Sequence, residues 1–222
     1  MCLSHINRLF GLSLLTLMLA SCATTSGDRD EHGDMGSGDN GAEIDAGVVN
    51  DPLKGGLWNK KLWEGAPKPY VDGLKAAQRG QSNAAMKLFR KSMFDFPDFA
   101  PAYTNLGLQQ LKLNDLTAAK ESLNKSLKIA PNDAVVYNHL GVIARMNGKF
   151  DTALKHYKKA IELKSDYANA HLNIGVLLDL YLYELKSALK HYEIYQSIIS
   201  KKDATVTKWI VEIKRRIAKG KK

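Results

Sequence analysis

Apolar and polar positions alternate with a helical period over most of this chain. Leu106, Leu108 and Leu111, then Leu116, Leu123 and Leu127, recur at spacings that give a helix one apolar face. The apolar runs predict helices over residues 102–113, 117–129, 134–147 and 151–163. A last amphipathic helix is predicted over 204–218, with Val206, Trp209, Ile210, Ile213 and Ile217 on one side and Asp203 placed to cap its start.

The pattern repeats. Gly73, Gly107, Gly141 and Gly175 lie 34 residues apart. Twelve residues after each of the first three comes an alanine: Ala85, Ala119, Ala153. Then come a large apolar residue (Phe89, Leu123, Tyr157) and a small one (Ser92, Ser126, Ala160). Pro97 and Pro131 close the first two units, with Ser165 in that place in the third. Small residues let two helix backbones approach, and the large residue fills the space between them. Gly80, Asn114 and Gly148 fall in the turns, where a left-handed backbone is often needed. Pro131 ends one helix and Asn132-Asp133 can cap the next. The expected fold is all-α, a stack of helical hairpins.

The segment Tyr103-Thr104-Asn105-Leu106-Gly107, with Ala118-Ala119 and Pro131, resembles a tetratricopeptide repeat. So does Tyr137-Asn138-His139-Leu140-Gly141 with Ala153, Tyr157 and Ala160. The resemblance covers about residues 66–201. It implies a right-handed superhelical solenoid of units 66–99, 100–133, 134–167 and an atypical 168–202, closed by a basic capping helix and tail over 203–222. The first unit has Asp72 where leucine is usual. In the fourth, Ala188 follows Ala153 by 35 residues, the turn Leu180-Tyr181-Leu182-Tyr183 lacks glycine, and Tyr195 replaces a small residue. That unit is expected to pack differently, as the start of a cap.

The same resemblance implies a concave groove lined by the first helix of each unit. Its residues here are Tyr70, Leu74, Ala77 and Gln78; Thr104, Leu108, Leu111 and Lys112; Asn138, Val142, Arg145 and Met146; and Leu172, Val176, Asp179 and Leu180. Lys112 and Arg145 are its only cations. An apolar stretch or amphipathic helix of another protein fits such a lining, oriented by a carboxylate. A groove closed by the chain's own ends is the alternative. If the groove is open, Leu108→Asp with Val142→Asp is expected to abolish capture without unfolding the protein.

Arg8 precedes an apolar run, residues 9–20, that is too short to span a bilayer and long enough for a signal-peptide core. It ends in Leu19-Ala20-Ser21-Cys22, which resembles a bacterial lipobox. The resemblance implies removal of residues 1–21, cleavage between Ser21 and Cys22, and lipid on the Cys22 thiol with further acylation of the new amino group. Two or three acyl chains, at about 0.8 kcal/mol per buried methylene, anchor a protein stably. Ala23 rather than aspartate follows the cysteine, which by the same resemblance favours the periplasmic face of the outer membrane. No disulfide is expected, because Cys2 and Cys22 are the only cysteines.

Residues 22–51 are rich in Gly, Ser, Thr and Asp and are expected to form a flexible acidic tether. Within it, residues 34–39 faintly resemble a calcium loop but have the wrong spacing and lack the closing glutamate. Residues 52–65 hold Leu57, Trp58, Leu62 and Trp63, expected to cap the first unit, or alternatively to dock elsewhere or touch a membrane surface.

The chain carries a formal net charge of +9, with basic residues gathered at its end. A periplasmic address excludes nucleic acid as the expected partner of that charge, leaving acidic partners, anionic lipid or cell-wall polymer. No phosphate loop, nucleophile elbow or carboxylate pair marks an enzyme. His156 and His191 occupy equivalent places on successive second helices and could approach each other; a metal site would need a third ligand such as Asp or Glu converging on them, and none is expected. The only cofactor expected is the lipid on Cys22. The expected role is a membrane-anchored scaffold or assembly factor for an envelope complex, similar in architecture to repeat-containing lipoproteins that help pilus secretins assemble. An adaptor or activator of a cell-wall enzyme is the alternative, and self-association remains open.

Overall fold

The computed structural model describes residues 65–220. The expected lipobox with Ser21 and Cys22, the expected tether and the Trp58/Trp63 segment therefore lie outside the described residues. Among the described residues there are nine helices and no strands: α1 (Lys68–Gln78), α2 (Ser82–Asp95), α3 (Ala100–Lys112), α4 (Leu116–Ile129), α5 (Ala134–Met146), α6 (Phe150–Leu163), α7 (Ala168–Leu180), α8 (Leu185–Ile198) and α9 (Ala204–Lys219). Helices α1 to α8 form four antiparallel hairpins, and α9 packs on α8. The fold is an all-α solenoid.

Local chemistry sets the boundaries. Asp115 caps α4 through the Ala118 amide at 3.0 Å. Asp133 caps α5 through the amides of Val135 (2.9 Å) and Val136 (3.3 Å), and Asp203 caps α9 through Thr205 (2.8 Å) and Val206 (3.1 Å). Each three-residue turn within a hairpin passes through one left-handed residue: Gly80 at φ 74°, Asn114 at 61° and Gly148 at 69°. In the fourth hairpin the turn is one residue longer, and Tyr183 takes that conformation at φ 56°. The 35-residue spacing of Ala188 is thus absorbed in a turn, which leaves the helix contacts in register.

The repeated columns are the core. Ala85, Ala119, Ala153 and Ala188 are wholly buried, as are Phe89, Leu123 and Tyr157, with Tyr192 almost so. Each large side chain lies against the glycine of its own hairpin. Each first helix also touches the first helix of the next unit, whereas the second helices make no comparably extensive contact with one another. The first helices consequently line the inner side of the curve.

The last unit is built to receive α9. Val206 and Ile213 are buried against it, and Trp209 packs on Tyr192 with ring centroids 5.6 Å apart. The Gln196 side-chain amide donates to the Asp203 carbonyl at 2.6 Å, and its carbonyl accepts from the Asp203 amide at 3.0 Å. Tyr195 donates to the Asp203 carboxylate at 3.2 Å, so the bulk that breaks the small-residue column reaches out to the cap. The histidines are arranged otherwise than the sequence suggests. His191 meets His171 of its own hairpin, Nδ1 to Nδ1 at 3.1 Å, while His156 packs near Tyr137. Contacts within a hairpin are closer than those between successive second helices.

Candidate partner-binding site

Hydrogen bonds between successive first helices claim part of the predicted groove. Asn105 donates to the Tyr70 hydroxyl at 3.0 Å, and Asn173 donates to the Asn138 side-chain oxygen at 2.9 Å. Tyr70 also packs edge-on to Phe99, and burial pushes its phenol up to about 12 against the opposing effect of the Asn105 bond. Thr104 turns instead toward its own hairpin, with its hydroxyl 2.7 Å from that of Ser126. Thr104 and Asn138 are almost fully buried. Both join helices together.

Leu108 and Val142 are each 4% exposed, and Leu111 and Val176 are buried as well. An aspartate at Leu108 or Val142 therefore enters the core, and the expectation that such a change leaves the fold intact is corrected here. Leu74, Ala77 and Leu172 are half-buried. The open row lies one helical step further along: Gln78, Lys112, Met146 and Leu180, one per unit, are all exposed. Met146 and Leu180 are 38% and 53% exposed, large values for such side chains. Leu113, Tyr181 and Tyr183 extend this apolar edge through the turns.

Beside that row sits Arg145, half-buried. Its Nη1 donates to the Tyr181 hydroxyl over a long 3.4 Å, and its guanidinium lies 5.8 Å from that ring's centre. Tyr181 in turn packs on Phe150, with centroids 4.8 Å apart. Burial pushes the Tyr157 phenol up to about 12, and the adjacent Arg145 cation opposes the rise. One unit further, Asp179 is buried and paired with Arg216 of α9 at 2.6 Å. The anion of the predicted groove is thus already neutralised from within the chain. Nothing in the repeat spacing pointed to Arg216. The available signal was its place at the edge of the apolar side of α9, between Ile213 and Ile217.

Elsewhere, a recess of about 670 Å³ opens between the α4–α5 and α6–α7 connections, lined by Pro131, Asp133, Lys164 and Tyr167 among others. In the histidine pair, His171 Nε2 donates to the Ser165 carbonyl at 3.1 Å, leaving its Nδ1 to accept from His191 in the neutral pair. Among the described residues no three His, Cys, Asp or Glu side chains converge as metal ligands. No helix among them is long and apolar enough to cross a membrane.

Stacked hairpins with an inner apolar row define a helical-repeat solenoid of the kind that holds other proteins. Family models described as "Tetratricopeptide repeat" match residues 100–133 and 122–155, and one described as "TPR repeat" matches 143–179. Residues 100–179 thus match tetratricopeptide-repeat models. It is 30% identical to "Tetratricopeptide repeat protein 36" of Xenopus tropicalis over 131 residues, covering 57% of this chain and 63% of that one. The chain thus spans less than two thirds of the length of that curated relative. Among solved structures it resembles a MamA protein at 27% identity and a TM-score of 0.50, covering 58% of this chain and 70% of that one. It also resembles TTC0263, a thermophilic TPR protein of Thermus thermophilus, at 22% identity and a TM-score of 0.57, covering 67% and 81%.

Proposed function

We propose that this chain is a lipid-anchored repeat protein of the bacterial envelope that acts as a scaffold or assembly factor for a protein complex. The observation that carries the scaffold reading is the exposed inner row of Met146 and Leu180, continued by Tyr181 and Tyr183 and flanked by Lys112 and Arg145. An apolar row with cations beside it suits an amphipathic segment of another protein. The anchor reading is supported by Leu19-Ala20-Ser21-Cys22 after the apolar run, followed by the Gly- and Asp-rich composition of residues 22–51.

Two measurements test the two halves. Metabolic labelling with palmitate should mark the protein, and Cys22→Ala should abolish the label; a labelled Cys22→Ala variant would remove the anchor. Crosslinking in membranes should give one reproducible set of partners that Met146→Asp with Leu180→Asp eliminates. Both positions are exposed, so the double variant keeps its fold, and an unchanged set would remove the inner row as the site.

A further inference from the structure

Phe94 is 88% exposed, the most open large apolar side chain among the described residues, and Phe96 is 47% exposed. The fold does not require a bare ring there. The place of Phe94 is taken by Lys128 in α4, Glu162 in α6 and Ser197 in α8, all exposed. Arg90 and Lys87 precede Phe94 by one and two turns on the same face of α2, opposite the buried Ala85 and Phe89. The first helices line the inner side of the curve, so this face of a second helix looks outward. Among the described residues Lys87 and Arg90 make no ion pair, whereas Lys91 beside them holds Asp95 at 3.1 Å. Asp98, in the turn beyond, is the other anion of the segment.

The charge continues in register along the outer side. Lys155 and Lys158 hold the places of Lys87 and Arg90 in α6, and Lys190 holds the first of them in α8. In α4 those places are Glu121 and Asn124, with the exposed Lys125 and Lys128 beside them. The outer side is therefore positive along the stack, with two bare rings at its first unit. A soluble polyanion would engage the cations and leave the rings in water. An anionic bilayer takes up both, because its phosphates attract the cations and its acyl boundary accepts the rings. We infer that the outer face of α2 is a membrane-contact site, where Phe94 and Phe96 enter an anionic phospholipid surface and Lys87 and Arg90 meet its phosphates. The contact does not depend on lipid at Cys22. It turns the inner row away from the bilayer and leaves Met146 and Leu180 open to a protein partner.

The test uses the full chain carrying Cys22→Ala, with a photo-crosslinking residue at Phe94 or, for comparison, at Tyr183 on the apolar edge. Both positions are exposed, so the fold is kept. After illumination with vesicles, covalent capture of phospholipid is read by mass. Membrane affinity elsewhere in the chain serves both positions alike, so the ratio of the two yields reports on α2. With vesicles of phosphatidylglycerol and phosphatidylcholine, capture from Phe94 should exceed that from Tyr183 about tenfold, the preference that two basic residues at the surface supply. The ratio should fall toward unity in phosphatidylcholine alone, and also in Lys87→Gln with Arg90→Gln on the anionic vesicles. Free glycerol 1-phosphate should leave it unchanged, since a headgroup alone offers the rings nothing. Equal yields on anionic vesicles, a ratio indifferent to phosphatidylcholine or to the Lys87 and Arg90 changes, a ratio abolished by glycerol 1-phosphate, or a covalent dimer at Phe94 in place of lipid would each overturn the proposal. None of these outcomes bears on palmitate labelling at Cys22 or on crosslinking through Met146 and Leu180, so the readings fail separately.

Discussion

A methyl group on Gly141 would stand 2.5 Å from Cδ1 of the Tyr157 ring. The same holds at the other units: 2.7 Å from Phe89 at Gly73, 2.9 Å from Leu123 at Gly107 and 2.5 Å from Tyr192 at Gly175. The 34-residue glycine register is therefore a steric requirement. Each hairpin closes by laying one large side chain across a bare backbone. Gly141→Ala should cost about 1–3 kcal/mol, because a wholly buried ring cannot move aside. Urea unfolding checks the magnitude, and a double-mutant cycle with Tyr157→Ala should show most of the cost relieved. Additive costs would mean that the ring is not the obstacle.

Tyr183 holds a left-handed backbone at φ 56° that bulky residues rarely adopt. Tyr183→Gly should raise stability by about 1 kcal/mol, read as a higher unfolding midpoint. Tyr183 is also 73% exposed at the end of the apolar edge. The same variant should accordingly weaken crosslinking to a partner while it stabilises the fold.

Asp179 and Arg216 tie α9 to the last inner position. Arg216→Met leaves a buried carboxylate without its cation. The expected loss is about 2 kcal/mol, below the value for fully buried pairs because Arg216 remains a third exposed. The loss should concentrate in α9, seen as faster amide exchange there. Uniform exchange across the solenoid would contradict the docking role.

His191 is held down at about 4, first by burial and then by His171, Lys190 and Lys158. The unfolded chain binds a proton at this residue near its ordinary value of about 6.5, and the folded chain resists doing so. Its contribution to stability is complete above about pH 6.5 and is lost as pH falls toward 4. Urea midpoints should decline over that window, and His191→Gln should flatten the decline. An equal slope in the variant would assign the effect to other groups.

Much of this architecture was legible in the chain. Gly80, Asn114 and Gly148 marked the left-handed turns, Asp133 and Asp203 marked the caps, and the Phe89, Leu123 and Tyr157 column marked the hairpin contacts. These are local relations, fixed by a few residues along one helix or turn. The inner surface was less legible. Asn138 faces the next first helix because the closeness of successive first helices depends on the curvature of the whole stack, whereas Thr104 is taken up by Ser126 of its own hairpin. Leu108 and Val142 are covered for reasons that no single repeat contains. The Asp179–Arg216 pair joins residues 37 apart, and it required knowing where α9 docks.

The most direct test places a photo-crosslinking residue at Met146 and Leu180 on the inner row, and at Lys125 on an exposed face of α4. The same partner should be captured from Met146 and Leu180 and be absent from Lys125. Capture from Lys125 with silence at Met146 and Leu180 would contradict the inner row as the binding surface.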